Sequence, residues 1–241
     1  MTLTHVFFDL NGVLVDTGRL TSQYQTALGR FMAARYGGAA DDWSDAYRRV
    51  VTDWDSYYAD LDFSGEDSLD HLWEGQTRVL RALFRLTGCV YPTPEALREL
   101  VADYHYAVCS QCDALYPDAY VVLAALFENS LTLGIVSNAV QGHVRGLLRG
   151  ANITEWFTGP IITPEVAGYV GVDAGYYRLA LGLAGITPQQ AVIVTADRQL
   201  ISIVGQVQAR GVLVDRTLAA NQLHGDYPML IDLSTLPILF A

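Results

Sequence analysis

The chain has 241 residues, all 15 of its basic residues are Arg, and its formal net charge is −11. The lack of Lys excludes a lysine Schiff base and a Walker-type phosphate loop, so a cation in any site must be Arg, the N-terminus, a protonated His or a metal ion. The acidic balance argues against a nucleic-acid partner, and no apolar run reaches the ~18–20 residues that a membrane helix needs.

One short strand and four helices are predicted in the first half of the chain. Val6-Phe7-Phe8 is an apolar run that ends at Asp9, with Gly12 close behind, which is typical of a buried strand that enters a tight loop. Apolar residues then recur at helical spacing in four segments, at about 20–32, 43–54, 69–84 and 94–104.

After Tyr116-Pro117-Asp118 the chain alternates between helices and short apolar strands. The predicted strands lie at 131–136, 159–163, 191–194 and 212–214, and the predicted helices at about 119–128, 140–148, 176–184 and 201–210. Strands that are apolar throughout and separated by helices indicate a parallel sheet covered on both faces. We therefore predict a doubly wound α/β core, residues 1–16 and 116–241, interrupted by an all-helical cap at residues 17–115.

The predicted cap concentrates acidic and aromatic residues. Between residues 41 and 70, ten acids stand against Arg48 and Arg49, a local charge of −8. These acids fit either a solvated helical face or a surface that attracts a cationic ligand or partner. Seven aromatic residues fit either cap packing or a pocket for a cationic or flat organic ligand: Trp43, Tyr47, Trp54, Tyr57, Tyr58, Phe63 and Trp73.

The three Cys residues indicate a reducing compartment without structural disulfides, so we expect a cytoplasmic protein. Cys109 and Cys112 have the CxxC spacing. A single pair of this kind in a helical context is a weak signal for zinc or redox chemistry, and packing is the favoured interpretation.

Polar residues follow three of the predicted strands. Asp9 and Asn11 follow the first, Ser137 and Asn138 the second, and Asp197 and Arg198 come after the strand that begins at residue 191. In doubly wound sheets the ligands bind beyond the carboxyl ends of the strands. The sequence therefore predicts one site built from these side chains.

Four motifs resemble those of the haloacid dehalogenase (HAD) superfamily, in its subgroup with a helical cap after the first strand. Phe8-Asp9-Leu10-Asn11-Gly12-Val13-Leu14-Val15-Asp16-Thr17 is similar to the first motif, hhhDxDGxLxDS. Leu115-Tyr116-Pro117-Asp118-Ala119 resembles a helix opener of the superfamily, Leu133-Gly134-Ile135-Val136-Ser137-Asn138 its second motif, and Ile193-Val194-Thr195-Ala196-Asp197 its fourth. The order and spacing of these motifs extend over essentially the whole chain.

The resemblance implies nucleophilic attack by Asp9 on phosphorus or carbon, with Ser137 donating a hydrogen bond to the transferring group. In the phosphatases of the superfamily the first Asp, a backbone carbonyl two residues later and a fourth-motif Asp bind Mg²⁺. A second Asp is the general acid and base, and a third-motif Lys neutralises charge. The implied assignments are Asp9, Asn11 and Ser137 as catalytic positions, Asn138 and Arg198 as substrate-binding residues, and Asp9 and Asp197 as metal ligands.

The chain departs from this pattern at three positions. Asn11 occupies the general-acid position and cannot transfer a proton. In the third motif, at 168–173, Gly171 and Val172 occupy the positions of the usual Lys and Pro, and the second acid of the fourth motif falls near Ser202. Mg²⁺ binding is therefore predicted to be weak, and loss of the general acid alone commonly lowers a rate by about 10²–10⁴.

Three functions remain open from the sequence. The first is a HAD-like pseudoenzyme with lost or very weak phosphatase activity, repurposed to bind a small cationic or aromatic molecule or a protein partner. The second is a HAD-type hydrolase with altered chemistry that uses Asp9 as nucleophile or base. The third is a Mg²⁺-dependent phosphatase with Asn11 and Arg198 as atypical site residues. No nucleic acid or membrane is expected as a partner, and the sequence specifies no substrate or oligomeric state.

Overall fold

The computed structural model describes residues 2–224 and 227–240. The strands in this part of the chain are β1 (His5–Phe8), β2 (Thr132–Val136), β3 (Ile161–Ile162), β4 (Ala191–Thr195), β5 (Arg210–Val214), β6 (Gln222–His224) and β7 (Tyr227–Leu230). They form one sheet in the order β3-β2-β1-β4-β5-β7-β6, in which neighbours are parallel except β6 and β7. The predicted doubly wound α/β class is confirmed.

Four helices, at residues 17–36, 40–52, 68–87 and 94–109, fall in the segment where the all-helical cap was predicted. The helices are α1 (Thr17–Tyr36), α2 (Ala40–Thr52), α3 (Ser68–Thr87), α4 (Pro94–Cys109), α5 (Pro117–Glu128), α6 (Gln141–Gly150), α7 (Pro164–Ala167), α8 (Ala174–Ala184) and α9 (Arg198–Gln206). The prediction of a helix up to residue 210 was wrong. Helix α9 ends at Gln206, because Gln208 has a φ of 61° and Arg210 already pairs with Val192 in the sheet.

Successive side chains of β1 pack on opposite faces of the sheet, as the pleat of a strand requires. Phe8 belongs to the large apolar cluster that extends into the cap helices, whereas Phe7 belongs to a second cluster with Tyr176 and Tyr177 of α8. Both faces of β1 are therefore covered, which explains why its sequence is apolar without alternation.

A close contact between α4 and α6 joins the helical segment to the sheet domain. Helix α6 presents Gly142, Gly146 and Gly150, spaced four residues apart on one face. A Cβ atom added to Gly146 would lie 2.6 Å from the Cβ atom of Cys109 and 2.9 Å from the carbonyl oxygen of Tyr106. The two backbones therefore approach to a distance that only glycine permits.

The large apolar cluster continues from the sheet into α1–α4 without interruption. The division at residues 16/17 and 115/116 stays a prediction, and its outer limits, residues 1 and 241, lie outside the described residues. Within the described ranges, no helix combines the length and the hydropathy needed to cross a bilayer.

We expect Gly146→Ala to lower the free energy of unfolding by about 1–3 kcal/mol, because the added methyl group overpacks the α4–α6 contact. Gly182→Ala is the matched control, since a Cβ atom at this helical glycine meets nothing within 4 Å. This control should raise stability by about 0.5–1 kcal/mol. Urea unfolding measures both, and equal stabilities of the two variants would contradict the proposed close packing.

Candidate active site

Three neighbouring strands place the predicted site residues at one edge of the sheet. Phe8 is in register with Ile135 of β2 and Val194 of β4, so the chain leaves all three strands at the same height. A cleft of about 670 Å³ collects most of the predicted residues at this edge, namely Asp9, Asn11, Ser137, Asn138 and Asp197, together with Trp54 and Val172. The expectation that these side chains lie together agrees with the structure.

Asp9 is partly buried at the centre of the cleft. Its Oδ1 atom accepts a hydrogen bond of 2.7 Å from the backbone N–H of Leu10, and the hydroxyl of Thr195 also bonds to it. Burial, reinforced by the charge of Asp197, raises the pKa of Asp9 from 3.8 to about 6 despite these two hydrogen bonds. None of the described Arg or His side chains offsets the desolvation of this carboxylate.

Asn11 lies where three cavities meet. It is exposed and lines the main cleft, a neighbouring cleft of about 660 Å³ and an inner cavity beneath the cap helices. Its amide can donate and accept hydrogen bonds, but it cannot take a proton from a nucleophile and return it. Asn11 is therefore placed to orient a ligand at the junction.

Asn138, which follows Ser137, anchors the loop where the third-motif Lys would stand. Ser137 is buried and its Oγ atom accepts a bond of 3.2 Å from the N–H of Ala139, which leaves its hydroxyl proton to donate. The Oδ1 atom of Asn138 accepts a bond of 2.8 Å from the N–H of Gly171. Gly171 has a φ of 107°, so a Lys at this position would strain the backbone.

Asp197 and Arg198 are both engaged in structural contacts. Asp197 caps α9, since its Oδ1 atom accepts a bond of 2.7 Å from the N–H of Gln199. Arg198 lines the neighbouring cleft with Asp9, but its guanidinium pairs with Asp215 at 2.7 Å. To reach a group bound at Asp9, Arg198 would have to leave this carboxylate.

Arg216, which the sequence analysis missed, ties the loop after β1 to the rest of the core. Its guanidinium donates to the carbonyl oxygens of Gly12 and Val13, forms two hydrogen bonds to Asp118, and lies 3.5 Å above the ring of Tyr116. The signal was available, since Arg216 follows the apolar strand β5 just as Asp9 follows β1. This clamp fixes the segment that carries Asn11.

Cys109 and Cys112 are buried free thiols. The Sγ atom of Cys109 lies 3.4 Å from Nδ1 of His143, and burial raises the pKa of both thiols. Packing remains the interpretation that fits this pair. Among the described residues, no group of three or more His, Cys, Asp or Glu side chains is arranged to hold a metal ion.

Residues 3–195 match the family described as haloacid dehalogenase-like hydrolase. The chain is similar to a phosphoserine phosphatase of Thermus thermophilus, with 31% identity over 150 residues, which are 61% of this chain and 57% of that protein. It is also similar to (S)-2-haloacid dehalogenase 1 of Pseudomonas sp. strain CBS-3, with 24% identity over 215 residues, which are 87% of this chain and 83% of that protein. The chain thus spans little more than half of the phosphatase.

Solved structures share the fold over the full length of the chain. An L-2-haloacid dehalogenase from Xanthobacter autotrophicus has a TM-score of 0.60 and 17% identity, covering 99% of this chain and 98% of that one. A HAD-hydrolase from Bacillus subtilis bound to magnesium has a TM-score of 0.62 and 15% identity, covering 100% and 99%. Identities this low establish the fold alone.

Replacing Asp9 by Asn is expected to stabilise the metal-free protein at about pH 8 and to change little near pH 3. The pKa of Asp9 rises from 3.8 to about 6 on folding, so the fold penalises the carboxylate increasingly as the pH rises through this interval. Two pKa units correspond to about 3 kcal/mol at most. Urea unfolding in EDTA as a function of pH measures the gain.

Asp215→Asn is the control of opposite sign. Hydrogen bonds from Thr217 and then Arg198 hold the pKa of Asp215 below its ordinary value, so its carboxylate stabilises the fold above that value and loses its contribution as the pH falls. A stability gain in Asp9→Asn that does not grow with pH would contradict the assignment of Asp9 as a carboxylate that the fold disfavours.

Proposed function

Because the chain belongs to the haloacid dehalogenase-like hydrolase family, we propose that its phosphate-ester hydrolysis is lost or very weak and that its cap–core region binds a small organic molecule. The observation that carries this proposal is the acid pair Asp9 and Asp197. Arg198 and Arg216 line a cleft with both acids, but among the described residues they pair with Asp215 and Asp118 instead. A phosphate dianion would enter a site that is already negative.

The magnitudes support loss of turnover rather than a modest reduction. Asn11 provides no general acid, which costs about 10²–10⁴ in rate. The missing third-motif cation removes a preorganised charge stabiliser, which costs about 10²–10³ more. The conformation of the Gly171 loop supports this view, because its positive φ disfavours any residue that carries a cation there.

The side chains of the cleft retain part of a reaction centre. The N–H of Leu10 and the hydroxyl of Thr195 orient the Asp9 carboxylate, and the hydroxyl of Ser137 is free to donate to a bound oxygen. Asn11 would orient a bound group by hydrogen bonds without exchanging a proton with it. These residues position a ligand well but provide no path for a leaving-group proton.

A magnesium ion fits the chemistry of the acid pair. The carboxylates of Asp9 and Asp197 and the backbone carbonyl of Asn11 are the oxygen ligands that such an ion prefers. Burial, and to a lesser extent the charge of Asp197, raises the pKa of Asp9, and a bound cation would oppose both effects. When bound, Mg²⁺ would supply charge neutralisation for an anionic group at Asp9. We propose weak binding, because Ser202 replaces an acid of the outer shell.

A second candidate is a hydrolase of altered chemistry with Asp9 as nucleophile or base. The observation in its favour is the pKa of about 6, which suits a general base near neutral pH. Similarity to an (S)-2-haloacid dehalogenase over 87% of the chain points in the same direction. The pairing of Arg198 with Asp215 counts against it, because the second candidate would need a cation free to act at Asp9.

Asn11→Asp is expected to raise hydrolysis of p-nitrophenyl phosphate and phosphoserine by about 10² or more with Mg²⁺ supplied, because it restores the general acid. Asn11→Ser is the control, since it shortens the side chain without adding an acid. Native kcat should stay well below about 1 s⁻¹. Native turnover at or above this rate that disappears in Asp9→Asn would overturn the proposal, and chloride release from (S)-2-chloropropionate that requires Asp9 would establish the second candidate.

Asp197→Asn is expected to weaken Mg²⁺ binding about tenfold or more, measured by calorimetric titration. Asp16→Asn is a closely matched control, because Asp16 caps α1 through its Oδ1 atom just as Asp197 caps α9. Asn is as good a helix cap as Asp, so both variants keep their caps and only Asp197→Asn loses the postulated ligand. Equal affinities in the two variants would place the ion elsewhere.

A further inference from the structure

A cavity of about 270 Å³ lies beneath the cap helices, next to the main cleft. It adjoins that cleft at Asn11 and Trp54, which line both. On the core side the lining includes His143 of α6. The remaining lining residues belong to helices α1–α4 and are Thr17, Leu20, Thr21, Tyr24, Tyr47, Gln76, Tyr104 and His105. At ~30 Å³ for each water, the cavity has room for about nine groups of that size.

Hydrogen bonds among Tyr24, Gln76, Tyr104 and His105 leave the amide nitrogen of Gln76 unused. The Oε1 atom of Gln76 accepts from the hydroxyl of Tyr104 at 2.5 Å and from Nε2 of His105 at 3.0 Å. Nδ1 of His105 in turn accepts from the hydroxyl of Tyr24 at 3.1 Å. Among the described residues the amide nitrogen of Gln76 has no acceptor, although Gln76 is only 5% exposed and lines the cavity.

The wall offers further hydrogen-bonding capacity but no charge. In the described part of the chain, the hydroxyl of Tyr47 and the Nε2 atom of His143 have no hydrogen-bond partner. No Asp, Glu or Arg lines the cavity, and burial lowers the pKa of His143 to about 4 and that of His105 well below its ordinary value. At neutral pH the wall is therefore uncharged, polar and rich in aromatic rings.

The acidic residues of the cap do not line this cavity. All ten acids between residues 41 and 70 are exposed on the outside, and Trp43 is packed in the interior of the cap. Of the seven cap aromatics singled out in the sequence, Tyr47 and Trp54 line the cavity. The aromatic faces favour a flat ligand, and the unpaired amide donors and the lack of a lining carboxylate favour a neutral ligand over a cation.

We propose that this cavity binds the neutral, planar, carbonyl- or amide-bearing part of a small organic ligand, with the amide of Gln76 donating to the ligand carbonyl. The inference rests on the proposed function, since it names the ligand class of the same cap–core region. The ligand's remaining part would pass Asn11 and reach the cleft of Asp9.

Benzamide is the probe, compared with its anionic and cationic counterparts, benzoate and benzylamine. Calorimetric titration or ligand-detected NMR on the full chain, and on Asp9→Asn, measures affinity without any need for turnover. We expect benzamide to bind with a Kd of about 1 mM or tighter. Benzoate and benzylamine should bind at least about tenfold more weakly, because the cavity has no charged partner for them.

Three variants locate the binding. Thr21→Trp fills the cavity from its exposed edge and should abolish benzamide binding, whereas Ser22→Trp, on an exposed position of the same helix outside the lining, should leave it unchanged. Gln76→Glu keeps both acceptor bonds and removes the N–H donors, so affinity should fall about tenfold or more. Circular dichroism confirms that each variant is folded, and Thr21→Trp carries the test if Gln76→Glu is not.

The outcomes separate this inference from the proposed function. Benzamide binding that is absent, that persists in Thr21→Trp, or that is no stronger than benzylamine binding would overturn the inference, whatever the activity. Native phosphatase turnover together with normal benzamide binding would overturn the proposed loss of activity and leave the ligand class standing.

Discussion

The glycine contact between α4 and α6 is the constraint on which the functional region depends. Because Gly142, Gly146 and Gly150 have no side chains, α4 lies directly on a helix of the core. This contact brings Tyr104 and His105 of α4 close to His143 of α6, with the two imidazole rings 5.9 Å apart. A wider helix spacing would open the cavity beneath the cap and separate its hydrogen-bonding groups.

The distribution of positive charge explains the character of the cleft. Arg198 pairs with Asp215, and the guanidinium of Arg216 donates hydrogen bonds to Asp118 and to the backbone carbonyls of the loop after β1. Arg198 and Arg216 therefore stabilise the fold, and neither neutralises the carboxylates of Asp9 and Asp197, which repel each other. The chain has no Lys, so no flexible ammonium group is available to neutralise the two carboxylates in place of these Arg side chains.

Family membership does not select a reaction for this chain. The curated relatives include a phosphatase and a dehalogenase, and both reactions fit an aspartate at the end of the first strand. The site of this chain combines a carboxylate at Asp9 with the neutral Asn11 and a glycine at position 171. Under the proposed function, this combination binds a ligand with little or no turnover.

The sequence alone predicts the fold class, which the structure confirms, and it predicts which side chains lie together at one edge of the sheet. Apolar strands alternating with helices require a parallel sheet, and parallel strands bring Asp9, Ser137 and Asp197 to one edge because their carboxyl ends coincide. Strands β6 and β7 and the end of α9 were not predicted, since strands of three and four residues and a positive φ at Gln208 leave little periodic signal. The tertiary structure alone decided where Arg198 and Arg216 point and which faces of α4 and α6 meet. These features depend on contacts between residues distant in the chain, and no local pattern encodes them.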